Sequence, residues 1–211
     1  MKHSKKISAL CVASLTALLA MSAHAATYSD SKWGNWYAGI SGDLTWMNHT
    51  NTGGGGNVDL GYRFWTGTTG DLRLEGELGY HGASNSGDFT GNTHYFSYLA
   101  NAYYDLNNFR PWEGGPWSGS GWHLVPYVGA GLGDATVHSG HNASLSNQSF
   151  NFRGNVNSFA YDFMAGLTLV SDAMPNTDWS LGYRYFGTTK ATDDSGKIHS
   201  NNLELGLRFH F

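Results

Sequence analysis

The sequence predicts an all-β fold: an eight-stranded antiparallel transmembrane β-barrel preceded by a cleavable signal peptide. Three observations carry that prediction. First, the chain ends on Leu203-Glu204-Leu205-Gly206-Leu207-Arg208-Phe209-His210-Phe211, in which every second residue is apolar and the residues between are polar or glycine. Alternate residues of a strand point to opposite faces, so this strand has one apolar and one polar face. A soluble barrel hides the apolar face inside, whereas a membrane barrel turns it to lipid and keeps the polar face in the lumen. The aromatic residue at the very end favours the membrane arrangement. Second, seven earlier segments alternate in the same way. Third, the N-terminus has the pattern of a secretory signal.

In that signal, Lys2, Lys5 and Lys6 form a positive region and Ile7 to Met21 is a mostly apolar run without charge. Ala23-His24-Ala25 is a small-x-small cleavage site, so the mature chain is expected to begin at Ala26. The apolar run is short of the roughly 20 residues that a spanning helix needs. Leu10 before Cys11 is bulkier than the residue that usually precedes a lipidated cysteine. With Cys11 removed, the mature chain has no thiol, which excludes disulfides and thiol catalysis. The division is therefore 1–25 signal peptide and 26–211 a single barrel domain. Mean hydropathy is −0.36, yet aromatic residues make up 15% and charged residues only 13%. Alternation produces that combination, because the polar face offsets the apolar one. Loss of the three signal lysines leaves a net charge of −7 (nine basic against sixteen acidic side chains). A surface of that sign is not one for nucleic acid.

The alternating segments follow in order. Trp36–Met47 turns Trp36, Ala38, Ile40, Leu44 and Trp46 to lipid, with Tyr37, Ser41, Asp43 and Thr45 on the other face. Val58–Trp65 sets Val58, Leu60, Tyr62 and Phe64 against Asp59 and Arg63. Leu72–His81 sets Leu72, Leu74, Leu78 and Tyr80 against Arg73, Glu75, Glu77 and His81. Tyr95–Leu106 sets Phe96, Tyr98, Ala100, Ala102 and Tyr104 against Ser97, Asn101, Tyr103 and Asp105. Trp122–Gly133 sets Trp122, Leu124, Pro126, Val128, Ala130 and Leu132 against His123, Tyr127 and several glycines. Phe159–Val170 sets Phe159, Tyr161, Phe163, Ala165, Leu167 and Leu169 against Asp162, Met164 and Thr168. Trp179–Gly187 sets Trp179, Leu181, Tyr183 and Tyr185 against Ser180, Arg184 and Phe186. The terminal strand is the eighth. Segments of about ten residues are long enough to cross at a tilt. Eight is an allowed even count, and closure is required because an open edge cannot sit in hydrocarbon.

With both termini on the periplasmic side, Thr66–Asp71, Asn107–Gly121 and Ser171–Asp178 are expected as inner connectors. Asn48–Asn57, Gly82–His94, Asp134–Ser158 and Thr188–Asn202 are expected as outer loops, rich in Gly, Ser, Asn and Thr. Trp112, Trp117 and Trp122, with Trp36 and Trp179, fit the inner interface, where aromatic rings prefer to sit.

The pieces Trp36-Tyr37-Ala38-Gly39, Asn101-Ala102-Tyr103-Tyr104-Asp105, Pro126-Tyr127-Val128-Gly129-Ala130-Gly131-Leu132-Gly133 and Leu181-Gly182-Tyr183-Arg184-Tyr185-Phe186, with the terminal Phe, resemble the small eight-stranded outer-membrane barrels. That group holds the opacity-type porins and the transmembrane domain of the outer-membrane protein A type. The resemblance implies a Gram-negative outer-membrane location and contact with outer-membrane lipids and lipopolysaccharide. It also implies recognition by the barrel-assembly machinery through a C-terminal signal, here Leu207, Phe209 and Phe211. Relatives range from narrow pores to adhesins, so it leaves function open.

Candidate chemistry is concentrated in the lumen. Arg73, Glu75, Glu77, Asp162, Arg184, Glu204 and Arg208 all fall on inward faces, and Glu75, Glu77, Asp162, Arg184 and Glu204 fall near mid-height. An eight-stranded barrel is barely wide enough for side chains to fill it, so these charges must pair. Arg184 is expected to pair with Glu204 on the neighbouring strand. The structural reading is a salt-bridged plug; the functional one is an ion path through the same network. His138-Ser139-Gly140-His141 lies in a Gly/Ser/Asn-rich stretch that reads as irregular loop, without a nearby carboxylate or cysteine, and is not expected to hold zinc. Gly53-Gly54-Gly55-Gly56 lacks the Lys-Ser/Thr of a phosphate loop and reads as a flexible outer loop. His199-Ser200 beside Glu204 is the one adjacent His-Ser pair. Neighbouring strand residues face opposite ways, and the His-x-Ser of barrel deacylases is missing. No catalytic residue, metal or cofactor is predicted. The leading expectation is a non-enzymatic, porin-like or structural barrel. The alternative is an adhesin or host-interaction protein acting through its outer loops, and the third is a lipid A-modifying enzyme.

Overall fold

A computed structural model describes residues 35–47, 52–65, 70–85, 89–106, 121–145, 148–192 and 196–211. The signal peptide with Ala23, Ala25 and Ala26, together with Cys11, Trp112 and Trp117, lies outside the described residues. Eight strands, β1 (Asn35–Met47), β2 (Thr52–Trp65), β3 (Asp71–Asn85), β4 (Phe89–Asp105), β5 (Trp122–Leu145), β6 (Gln148–Ser171), β7 (Thr177–Thr192) and β8 (Gly196–His210), pair in chain order. Each pairs antiparallel with its neighbour, and β8 returns to β1 to close the barrel. Past the end of β8, the amide of Phe211 donates to the carbonyl of Trp36 at 3.0 Å, so the terminal residue is tied to the first strand across the closing seam.

Burial follows alternation. On β3, Arg73, Glu75, Glu77 and His81 are buried while Leu74, Leu78 and Tyr80 are exposed. Leu205, Phe163 and Leu132 on β8, β6 and β5 are each more than half exposed. This inversion of the soluble pattern forms a continuous apolar belt around the outside, which is what hydrocarbon demands of a spanning sheet.

Several expected boundaries shift. The outer segments read as loops are largely strand. Gly53–Gly56 belongs to β2, where it pairs with Gly42–Thr45, and Gly54–Gly56 pairs also with Tyr80–Gly82. Asp134–Leu145 and Gln148–Ser158 extend β5 and β6 in one continuous ladder, so His138 and His141 sit on a strand rather than in irregular loop. Likewise Gly82–Asn85, Phe89–His94, Thr188–Thr192 and Gly196–Asn202 lie within strands. Inner connectors shorten too, since Asp71, Thr177 and Asp178 are already in strands. The physical reason is common to all of these. Ladder hydrogen bonds continue beyond the lipid, but lipid no longer enforces alternation there.

Large lumen side chains find room beside inward glycines. A Cβ at Gly131 would overlap the side-chain oxygens of Asn101 and Asp162, and one at Gly61 would overlap the Tyr37 ring. The glycines noted on the inward face of the fifth segment therefore act as space for neighbouring strands' side chains.

Candidate functional site: the filled lumen

The lumen has three tiers. In the tier nearest the periplasm, Arg73 on β3 donates through Nε to Asp105 Oδ2 at 2.6 Å and pairs with Glu75. Glu75 in turn accepts from Tyr37 Oη at 2.6 Å, and Tyr37 is fully buried. The Arg73 guanidinium lies 4.4 Å from the centroid of Tyr103, a cation–π contact. Asp178 gathers Arg63 at 3.3 Å and His210 at 2.7 Å. Arg208 donates to Thr168 at 2.6 Å.

In the middle tier, Arg184 on β7 reaches across the barrel to Glu77 on β3, donating from Nη1 to Oε1 and from Nη2 to Oε2, the latter at 2.5 Å. The same guanidinium lies 3.4 Å from Asp162 and 2.9 Å from Glu204. The expected Arg184–Glu204 pair is thus present as an ion-pair contact, but the two-pronged link to Glu77 is the better aligned one. Asn101 donates to Glu77 at 3.1 Å, and Asn57 donates to Glu204 and to Ser41, each at 3.1 Å. Glu77, Asp162, Arg184 and Glu204 converge as expected, whereas Glu75 joins Arg73 in the inner tier, where Arg208 contacts Thr168.

The outer tier is apolar, which sequence reasoning missed. Tyr95, Leu99, Val137, Phe186, Ile198 and Met47 turn inward and pack together with small neighbours. Tyr95 stacks on Phe186 with centroids 4.6 Å apart, and His81 stacks on the other face of Tyr95 at 4.6 Å. The available signal was the break in alternation at Tyr98-Leu99-Ala100, where all three residues are apolar.

The lumen is not charge-balanced. Among the described residues, nine carboxylates face inward: Asp43, Asp59, Asp71, Glu75, Glu77, Asp105, Asp162, Asp178 and Glu204. They meet four arginines, Arg63, Arg73, Arg184 and Arg208, and two histidines, His81 and His210. Free space between Asp59, Glu75, Arg184 and Arg208 amounts to about 40 Å³, room for a few waters.

His199 and Ser200 stand on opposite faces. His199 Nδ1 is 2.9 Å from Tyr185 Oη, whereas Ser200 is fully buried beside Tyr95 and Asn202. They form no dyad. Of the residues expected to form the C-terminal assembly signal, Leu207 and Phe209 are half-exposed on the lipid face and Phe211 is exposed at the end of the chain. Charge reversal bears on the ion-pair network. Arg184→Glu and Glu204→Arg are each expected to lower the unfolding temperature, read by the mobility difference between heated and unheated protein on gels. The double reversal is expected to recover less than half of the loss, because a carboxylate at 184 also opposes Glu77 and Asp162. Full recovery would mean that the links to Glu77 and Asp162 contribute little.

The comparisons with known proteins agree with this geometry. The family model described as outer membrane protein beta-barrel domain matches residues 13–211. No curated protein matches the chain. Among solved structures, neisserial surface protein A is similar at 19% identity and a TM-score of 0.55, covering 85% of this chain and 100% of that one. Ail, the attachment invasion locus protein of Yersinia pestis, is 15% identical with a TM-score of 0.44, covering 84% and 97%. The outer membrane enzyme PagL is 16% identical with a TM-score of 0.46, covering 80% and 97%. Similarity at these identities concerns fold alone. The apolar outer belt, the closed ring of eight strands and the family match over nearly the whole chain place the protein in the bacterial outer membrane, and the chain belongs to the outer membrane protein beta-barrel domain family.

Proposed function

We propose that this protein is a non-enzymatic structural barrel with a sealed lumen, whose contacts with the exterior are made by the strand extensions beyond the membrane. The observation that carries this reading is the cross-lumen link from Arg184 to Glu77, capped on its outer side by the apolar tier around Tyr95 and Phe186. An ion following the lumen would have to break a buried, multiply bonded arginine site and then cross an uncharged layer. Both steps are costly. The separation of His199 from Ser200 supports the non-enzymatic part, since a nucleophile and its base must lie within hydrogen-bond reach.

Planar-bilayer recording of the purified protein tests the reading. The wild type is expected to be silent, while Arg184→Ala combined with Phe186→Ala introduces measurable conductance. Discrete steps from the wild type that change with Arg184 or Glu204 would replace the sealed barrel with a narrow pore. A second reading, binding of a surface ligand from outside, is favoured by β5 and β6, each 24 residues long and continuing well past the lipid belt. Its test is deletion of 138–156 with joined ends, after which surface binding of cells is lost while the barrel still folds.

A further inference from the structure

We propose that Asp43, His81 and Glu204 form a divalent-cation site that latches the β1–β8 closing seam from inside the lumen, with zinc as the fitting class of ion. The argument goes beyond the sealed-barrel reading and starts from register. Asp43 on β1 stands directly opposite Glu204 on β8, and Gly55 of β2 stands between Asp43 and His81 of β3 in the same cross-strand row. Two carboxylates directly opposite on one face of a sheet repel, and here they do so at the seam whose pairing closes the barrel. Because Gly55 has no side chain, His81 leans across β2 into the row; a Cβ at Gly55 would overlap its ring.

The three side chains each bring a ligand atom within 4.8 Å of the others. His81 Nε2 lies 2.7 Å from Asp43 Oδ2, both atoms are buried, and neither has a hydrogen-bond partner beyond the other. With Nε2 protonated the pair is a hydrogen bond; with Nε2 bare, a cation drawn in beside Glu204 takes the place of that proton. The other bonds of these side chains do not occupy the two atoms. Thr45 donates to Asp43 Oδ1, and Asn57 and Arg184 both address Glu204 Oε1 rather than Oε2. Arg184 does not neutralise the pair, since Glu77 and Asp162 already share its charge. Among the described residues the lumen holds five more carboxylates than arginines, so a cation there lowers an excess that buried groups otherwise bear. One imidazole nitrogen and two carboxylate oxygens are a donor set that zinc accepts, with a fourth position for water.

The site lies beneath the stacked rings of Tyr95 and Phe186, so the ion is best supplied before the seam closes. The protein extracted from membranes is unfolded in urea, refolded in detergent with zinc chloride, desalted, and assayed for bound zinc and for unfolding temperature. About one zinc per folded barrel is expected, with a higher unfolding temperature than protein refolded in chelator. His81→Gln and Glu204→Gln are expected to lose at least tenfold of the retained zinc and the temperature difference, while His138→Gln keeps both. Absence of retained zinc, equal retention by His81→Gln, or loss in His138→Gln overturns the proposal. Should His81→Gln fail to refold, zinc-edge X-ray absorption of the wild type decides. A single imidazole with oxygen neighbours supports the site, and several imidazoles overturn it.

Discussion

Replacing Arg184 by alanine is expected to destabilise the barrel by about 3–5 kcal/mol, the range for removing one partner of a buried ion pair. Arg184 is only 3% exposed, and three carboxylates depend on it: Glu77 through two bonds, and Asp162 and Glu204 through contacts at 3.4 and 2.9 Å. Removing it leaves three carboxylates facing one another in a space with little water. That repulsion, more than the lost attraction, sets the magnitude. Lysine at 184 is expected to recover less than half, because a point ammonium cannot make the two-pronged bond to Glu77 while also facing Glu204. Alanine at Glu77 is expected to cost less than alanine at Arg184, since the arginine then keeps Asp162 and Glu204. Urea unfolding in lipid vesicles, followed by tryptophan fluorescence, measures all three. A loss below about 1 kcal/mol for Arg184→Ala would mean that water enters the middle tier and screens it, and the sealed-lumen reading would fall with it.

The cross-lumen bond shows where sequence reading stops. The contact of Arg184 with Glu204 was legible because β7 and β8 are consecutive and pair directly. Its partner Glu77 lies on β3, four strands away around the ring, and only the complete set of strand registers brings the two together. The inward or outward direction of each side chain within the belt was legible from alternation alone, since a one-residue slip would put Arg73 or Glu77 into hydrocarbon. Above the belt that constraint disappears. Gly53–Gly56 and the stretch from His138 to His141 carry no alternation in sequence, and their composition suggested loop although the ladder continues through them. The apolar outer tier escaped notice for a related reason. Alternation places Phe186 inward, but it breaks at Leu99, and Val137 and Ile198 lie in stretches whose composition predicts loop. The closing-seam row of Glu204, Asp43, Gly55 and His81 needs three registers at once, so none of its members stood out singly.

Leucine 205 tests the orientation of the whole sheet. It is 58% exposed, sits opposite Leu181 on β7 and Gly42 on β1, and lies within the apolar belt. In a soluble protein an arginine at so exposed a position would have little effect on stability. Here Leu205→Arg is expected to cost about 2–4 kcal/mol in a bilayer, because the guanidinium must stay near the midplane or distort the lipid to reach water. The depth dependence supplies the control. Ser84 is equally outward-facing and exposed but lies on β3 beyond Tyr80, past the end of the belt, so Ser84→Arg is expected to cost only about 0–1 kcal/mol. Unfolding by guanidinium in vesicles measures both. Equal, small effects at the two positions would mean that Leu205 does not face lipid. A large effect at 205 with none at 84 locates the hydrocarbon boundary between Tyr80 and Ser84, and with it the level at which β5 and β6 emerge from the membrane.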